Sequence, residues 1–204
     1  MELDAAIGSR RMCRRFADRA VPPEMVDRLL DRARRAPSAG HTQGWDWLVL
    51  EGREQVGRFW SLDAEPGWLA APDHPGLLRA PVVVIPLAHR QAYLDRYADP
   101  DKRGRPGATA AGPDAEPWPV PYWLVDTAFA TMLLLLGVVE EGLGALLFAL
   151  HRDPRATLAA FGVPEDREPL GAVAIGWPEP DDHQGRPPAR ARRPLAGQVH
   201  RGGW

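Results

Sequence analysis

Trp123-Leu-Val-Asp126-Thr-Ala-Phe-Ala-Thr-Met-Leu133-Leu-Leu-Leu136-Gly-Val-Val-Glu140-Glu-Gly142-Leu-Gly144 is the stretch on which the fold turns. Its greasiest part, the twelve residues from Ala128 to Val139, is apolar apart from Thr131 and is bounded by Asp126 and by Glu140-Glu141. A membrane span needs roughly 20 such residues. The stretch therefore reads as a buried core helix over Trp123 to Glu141, stopped by Gly142. Upstream, residues 98 to 121 carry nine prolines and glycines. That density predicts a long loop, and a loop of such length in a compact domain is often functional. Downstream, Gly144 to Leu150 reads as a strand or a close-packed turn. Asp153-Pro154 opens a helix in which Leu158 and Phe161 face the core, Gly162 and Pro164 end it, and Leu170 to Trp177 reads as a strand. From Pro178 to Trp204 the chain is rich in Pro and Arg and too polar to pack on itself; it is either disordered or wrapped around a partner.

In the N-terminal half, residues 2 to 8 form a short element, apolar on one side. Pro22-Pro23-Glu24 starts a helix in which Val26, Leu29, Leu30 and Ala33 recur at i, i+3, i+4 and i+7, and Pro37 stops it. Trp45 to Glu51 predicts a strand, Arg53 to Trp60 a helix, and residues 61 to 79 irregular structure. Pro81-Val-Val-Val-Ile-Pro86 is a β-branched run short enough for a buried, central strand. No repeat or linker divides the chain. Residues 1–204 are read as one domain, with 98–121 as a substrate-lid loop and 178–204 as a C-terminal extension.

With 45% apolar and 25% charged residues and a formal net charge of −2, the chain has no global field to hold nucleic acid or an anionic membrane. Cys13, the only cysteine, rules out an internal disulfide and a multi-cysteine metal site and fits a reducing compartment. The first residues carry charges where a signal peptide needs an apolar run, so the expected address is cytoplasmic. There is no G-x-S-x-G elbow, no Gly-rich loop before Lys102, and no histidine pair at i, i+4, so no metal site is expected. Gly142-Leu-Gly144 lacks the third glycine of a dinucleotide fingerprint and follows a helix, not a strand.

Three segments remain. Arg10, Arg11, Arg14 and Arg15 lie just before Phe16 and can hold a phosphate through bidentate, charge-assisted hydrogen bonds, the alternative being a solvated basic face. Arg190, Arg192 and Arg193 form a second cluster, otherwise a charged tail. In Ala36-Pro37-Ser38-Ala39-Gly40-His41-Thr42-Gln43-Gly44-Trp45, small residues let backbone N–H groups approach a ligand. Ser38, His41, Thr42 and Gln43 offer side-chain donors there, the alternative being a polar loop.

Arg10-Arg11-Met12-Cys13-Arg14-Arg15-Phe16, followed by Val21-Pro22, resembles the opening motif of the FMN-dependent nitroreductase family, and Ala36 to Trp45 resembles its second motif. Asp126-Thr-Ala with Leu133-Leu-Leu and Gly142-Leu-Gly144 resembles the family's dimer-core helix and its exit. Pro169 to Pro178 and Arg192-Arg193-Pro194-Leu195 resemble its closing strand and tail. The motifs run in the family's order over about residues 7 to 195. Three positions depart from it: Met12 for serine, which removes a hydroxyl donor, His41 for asparagine, and Gly44 for proline.

The resemblance implies an α+β fold, a mostly antiparallel sheet flanked by helices, in an intertwined homodimer whose C-terminal tail crosses to the other subunit. The over-greasy helix and the tail agree with half of an obligate dimer. It implies FMN, with NAD(P)H as co-substrate and ping-pong transfer to a small organic acceptor, nitroaromatic or quinone-like. Arg10, Arg11, Met12, Arg14 and Arg193 would serve one side of the cofactor, Arg14 acting on the N1 and C2-carbonyl edge and Arg193 near the phosphate. Pro37, Ser38, Ala39, His41 and Gln43 would come from the other chain. Backbone from Leu146, Leu147 or Phe148 would lie near flavin N5. From the length, Pro and Gly content and aromatic residues of 98 to 123, and not from the resemblance, that segment is expected to be the substrate lid with Trp118, Tyr122 or Trp123 near the exposed flavin face. Two other readings are a flavin- or deazaflavin-binding protein without turnover, or a specialised flavin reductase or dehydrogenase of biosynthesis. A third is an interaction dimer whose flavin site has decayed.

Overall fold

The computed structural model describes residues 1–70, 75–102, 118–180 and 191–204. Most of the expected lid, residues 103–117, and residues 181–190 of the C-terminal extension lie outside the described residues.

The sheet is built from β1 (Trp45–Glu51), β2 (Val82–His89), β3 (Gly144–Phe148), β4 (Arg167–Pro169) and β5 (Ala172–Gly176). Its order is β1-β2-β5-β3, with β4 also paired to β2, and all of these pairs are antiparallel. β2 is the hub, as its β-branched run predicts, and every residue from Val82 to Ala88 is buried. Such a strand has an apolar layer on both faces. Val83, Ile85 and Leu87 of β2 and Ala172 and Ala174 of β5 join Phe59, Trp60 and Leu158 in one core. Val82, Val84, Val173 and Ile175 join Leu29, Leu134 and Val138 in the other.

The helices supply those layers. On one face lie α3 (Gly52–Asp63) and α7 (Pro154–Ala160), the latter capped by Asp153, whose Oδ1 accepts from Ala156 N–H at 2.9 Å. On the other lie α2 (Pro23–Ala33) and α6 (Tyr122–Glu140). α6 is long and apolar enough to cross a membrane by length and composition. Its buried Trp123, Thr127, Ala130, Leu134 and Val138 instead form one stripe, and the helix packs on α2 and β2. Gly142, at φ 71°, ends it in the left-handed conformation while Leu143 N–H returns to Val138 carbonyl at 2.9 Å.

The remaining elements are α1 (Leu3–Ser9), α4 (Pro66–Ala70) and α5 (Arg90–Ala98). Residues 61–79 were expected to be irregular; the described part holds α4 and a 3-10 turn at Pro75–Arg79, since neither proline interrupts a helix that it begins. Leu134 and Leu135 are buried within the chain, so the large apolar side chains that α6 leaves exposed are Tyr122, Phe129 and Met132.

Candidate functional site

The basic segment after α1 runs beside the sheet's edge strand. Cys13 N–H donates to Ala145 carbonyl at 2.8 Å, and Met12 bridges Ala145 in the parallel sense. Gly144 permits this approach, because a Cβ there would lie 2.7 Å from Cys13 Cβ and 2.8 Å from its Sγ. The second glycine of Gly142-Leu-Gly144 is thus needed for close packing, not for phosphate binding. With Ala145 carbonyl facing away from β5, the two-residue alternation of a strand turns the N–H and carbonyl of Leu147 to that same outer edge.

Arg14 and Leu146, Leu147 and Phe148 meet there around a cavity of about 410 Å³. The half-buried Arg14 guanidinium makes one long bond, 3.4 Å to Met12 carbonyl. The walls are aromatic: Phe148 stacks on Trp60 at 5.3 Å and 12° and on His151 at 6.4 Å and 13°, and Trp60 adjoins Trp68 at 5.8 Å. Beneath them, buried Asp63 accepts from His151 N–H at 2.9 Å, and burial pushes its carboxyl above the ordinary carboxylate range. A loosely held Arg14 in a flat-walled, mostly apolar cavity that Glu65 also lines, with a strand edge offering an N–H, suits a planar ring whose polar edge gains negative charge.

Arg10 and Arg11 line a second, smaller hollow of about 260 Å³ at the far end of α6, with Cys13 and residues 142–145. Arg11 Nη1 is spent on the carbonyls of Gly8 and Arg10, at 2.7 and 2.9 Å. Arg10 has no side-chain partner among the described residues. Arg193 lies on the exposed tail, where its Nη2 donates to Gly197 carbonyl, and it lines neither hollow. Met12 is half-buried against both cores.

The Pro37–Gln43 loop sits at the other end of α6. Gly40, His41 and Gln43 have φ of 65°, 56° and 53°. Two left-handed residues that are not glycine cost on the order of 1–3 kcal/mol each and persist only where surroundings impose them. Ser38 Oγ accepts from Gln43 N–H at 2.9 Å, and the amide nitrogen of Gln43 lies 3.2 Å from His41 Nε2. Asp126 accepts from Ala39 N–H at 2.8 Å, and Arg96 Nε donates to Gly40 carbonyl at 2.9 Å. Arg96 is itself oriented by Asp99 and by Asp101, whose carboxyl it holds down at about 2. Pro37 is exposed.

Of the expected lid aromatics, Trp118 packs edge-on against Tyr97 at 4.8 Å and lies 6.2 Å from the exposed Tyr122. Tyr97 also covers Gly40, so lid and loop share a neighbour. Trp123 is buried with Tyr93 and Ala88, its Nε1 3.4 Å from Glu168, and its ring belongs to the core of this chain. Sequence reasoning missed α5, although Tyr93 and Tyr97 stand at helical i, i+4 spacing. It also missed Trp60, Trp68 and His151, whose convergence on Phe148 has no local signal.

Comparison with known proteins gives the family and the fold. The model of the nitroreductase family matches residues 7–177, and the chain belongs to that family, which places it among the oxidoreductases. A protein of Methanothermobacter thermautotrophicus provisionally named NADH dehydrogenase/NAD(P)H nitroreductase is 26% identical over 181 residues, 87% of this chain and 78% of that protein. An NADH dehydrogenase of Thermus thermophilus is 26% identical over 189 residues, 87% of either chain. Among solved structures, a provisionally named nitroreductase of Desulfovibrio desulfuricans in complex with FMN has a TM-score of 0.67 at 22% identity, over 98% of this chain and 95% of that one.

Proposed function

We propose that this chain is an FMN-dependent oxidoreductase that works as a homodimer, in the cytoplasm, carrying reducing equivalents from NAD(P)H to a small nitroaromatic or quinone-like acceptor. The observation that carries this reading is the cavity in which Arg14 faces the outer edge of β3 between aromatic walls. The FMN complex of the Desulfovibrio desulfuricans protein and the NAD(P)H-linked names of the relatives support the cofactor and the donor.

When bound, FMN supplies a two-electron carrier between donor and acceptor. The protein's part is binding and electrostatics. Arg14 places a fixed positive charge where the reduced ring is richest in electrons, which favours the reduced form. Leu147 presents its N–H at the strand edge, and Leu146 and Phe148 shield the ring from water. Arg10, and Arg193 from the tail of the second copy, would hold the phosphate, with Arg11 and Met12 shaping the approach. Trp118 and Tyr122 would line the place where NAD(P)H and acceptor bind in turn, the arrangement that ping-pong order requires.

Distance and exposure support the homodimer. Asp126, which holds the Ala39 loop, and Val139, at the Arg10 hollow, are separated along α6 by about 20 Å at roughly 1.5 Å per residue. Loop and basic segment of one chain thus serve two different cofactors, as the family resemblance implies. Leu3, Ile7, Phe129 and Met132 are 64, 51, 48 and 40% exposed on α1 and α6, an apolar surface for a second copy to cover.

The test is the visible spectrum of the purified protein, the flavin released on denaturation, and sedimentation. Yellow protein releasing FMN, bleached anaerobically by NADH or NADPH, at about twice the 22.5 kDa chain mass, is expected. Released FAD, no flavin after reconstitution, or a stable monomer at micromolar concentration would contradict it. Bound flavin that neither nucleotide bleaches would instead mean a flavin-binding protein without turnover.

A further inference from the structure

Asp126 has no part in the chemistry above, yet it is a charged side chain only 3% exposed, near the start of an otherwise apolar helix. Its Oδ2 accepts two hydrogen bonds, from Ala39 N–H at 2.8 Å and from the Tyr93 hydroxyl at 2.8 Å. Tyr93 is fully buried, and burial followed by the Asp126 carboxylate pushes its phenol above the ordinary value, so it stays protonated and donates. A buried carboxylate is tolerated only where such donors replace its water. One of these two donors is the backbone of the 38–43 loop, and the other belongs to a ring that packs on Gly44 at the loop's end.

The loop needs an outside anchor. Its internal bonds, Gln43 N–H to Ser38 Oγ and Thr42 Oγ1 to Ala39 carbonyl, close the turn but tie it to nothing else. What ties it down is Asp126 at Ala39, Arg96 at Gly40 carbonyl and His89 N–H at Gly44 carbonyl, 3.0 Å. Asp126 is the anchor nearest the left-handed residues on their N-terminal side.

We propose that Asp126, braced by Tyr93, is a positioning residue that holds the 38–43 loop in its left-handed geometry, preorganised to meet the flavin ring. The proposal rests on the reading that this loop contacts the cofactor. Because Tyr97 covers Gly40 and also packs on Trp118, the acceptor side of the site shares the same anchorage.

The experiment compares Asp126→Ala, Asp126→Asn and Tyr93→Phe with wild type. It measures FMN and riboflavin dissociation constants, the visible spectrum of the bound flavin, and the thermal unfolding midpoint of the apoprotein. Asp126→Ala should weaken FMN and riboflavin alike by about ten- to a hundredfold, the equivalent of one charge-assisted hydrogen bond, and should shift the flavin absorption band. Equal loss for both ligands marks an effect on the ring and not on the phosphate. Asp126→Asn keeps an acceptor oxygen and should recover most of the affinity; Tyr93→Phe should fall between. Variants that lose thermal stability while the folded protein keeps wild-type affinities and spectrum would overturn the proposal, as would a loss confined to FMN. If Asp126→Ala does not fold, wild-type affinity and spectrum in Tyr93→Phe overturn it alone. Wild type that takes up neither flavin removes the flavin reading and this proposal together, a result distinct from bound flavin that is indifferent to Asp126.

Discussion

Substituting Gly44 by alanine tests how tightly the candidate loop is packed. Glycine here is not a matter of backbone conformation. A Cβ at residue 44 would lie 2.3 Å from Tyr93 Cε2, 2.9 Å from Cδ2 and 3.2 Å from His89 carbonyl. Tyr93 is fully buried, so its ring can move only by displacing core neighbours. Overpacking of this sort costs about 1–3 kcal/mol. If the ring shifts, its hydroxyl leaves Asp126, and a lost hydrogen bond to a charged group adds about 1.5–3 kcal/mol. The sum is about 2.5–6 kcal/mol, which at roughly 2–4 °C per kcal/mol for a chain of this size lowers Tm by about 5–24 °C. The assay is thermal unfolding of the apoprotein at fixed protein concentration, followed by calorimetry. Because the two residues touch, Gly44→Ala combined with Tyr93→Ala should cost less than the sum of the single changes. A Tm loss under about 2 °C, less than about 1 kcal/mol, would refute the packing argument. So would wild-type stability in Gly44→Pro, the residue usual in the family's motif.

Three further outcomes follow from the site. Arg10→Ala and Arg193→Ala should weaken FMN by about ten- to a hundredfold and riboflavin far less, while Arg14→Ala mainly lowers the flavin reduction potential. Arg35→Ala, which removes only an exposed ion pair with Asp31, is the control, and equal losses in all four variants would show that the arginines act through general charge. Trp118→Ala and Tyr122→Ala should change acceptor preference at constant FMN content; unchanged acceptor kinetics would make that segment ordinary surface. Asp63 carries a pH signature: its folded pKa is raised above its ordinary value near 3.8, so its contribution to stability is fully present below that value and is lost as pH rises through the folded pKa. Asp63→Asn should therefore flatten the pH dependence of unfolding over that window, and an unchanged pH profile would dismiss the burial argument.

Sequence alone carries a local pattern well and a convergence badly. β1 occupies the same seven residues that apolar and aromatic content predicts, α2 and α7 begin at their proline and cap signals, and α6 begins one residue before the expected Trp123. α5 went unread because its Tyr93 and Tyr97 are separated by charged residues that dilute the apolar stripe, and the short β4 has no alternation long enough to detect. Arg14 and Phe148 were legible as candidates through separate motifs. That they share one cavity with Trp60, Trp68 and His151 was not, since those residues lie on other elements and meet only when α3, α4 and the edge strand pack.

What the sequence determined by itself is most of the elements, the apolar runs that must be covered on both sides, and the family, because each is written in short local motifs and their order. Tertiary structure alone decided which donors and charges face one another. Asp126 reads as the boundary of an apolar run in the chain and becomes the anchor of the Ala39 loop only because α6 packs against Tyr93 of α5 and that loop. Gly44 reads as a lost proline and becomes necessary only because Tyr93 fills the space beside it. Hydrogen bonds and steric limits act over a few ångströms, and distances of that order between residues far apart in the chain exist only after folding.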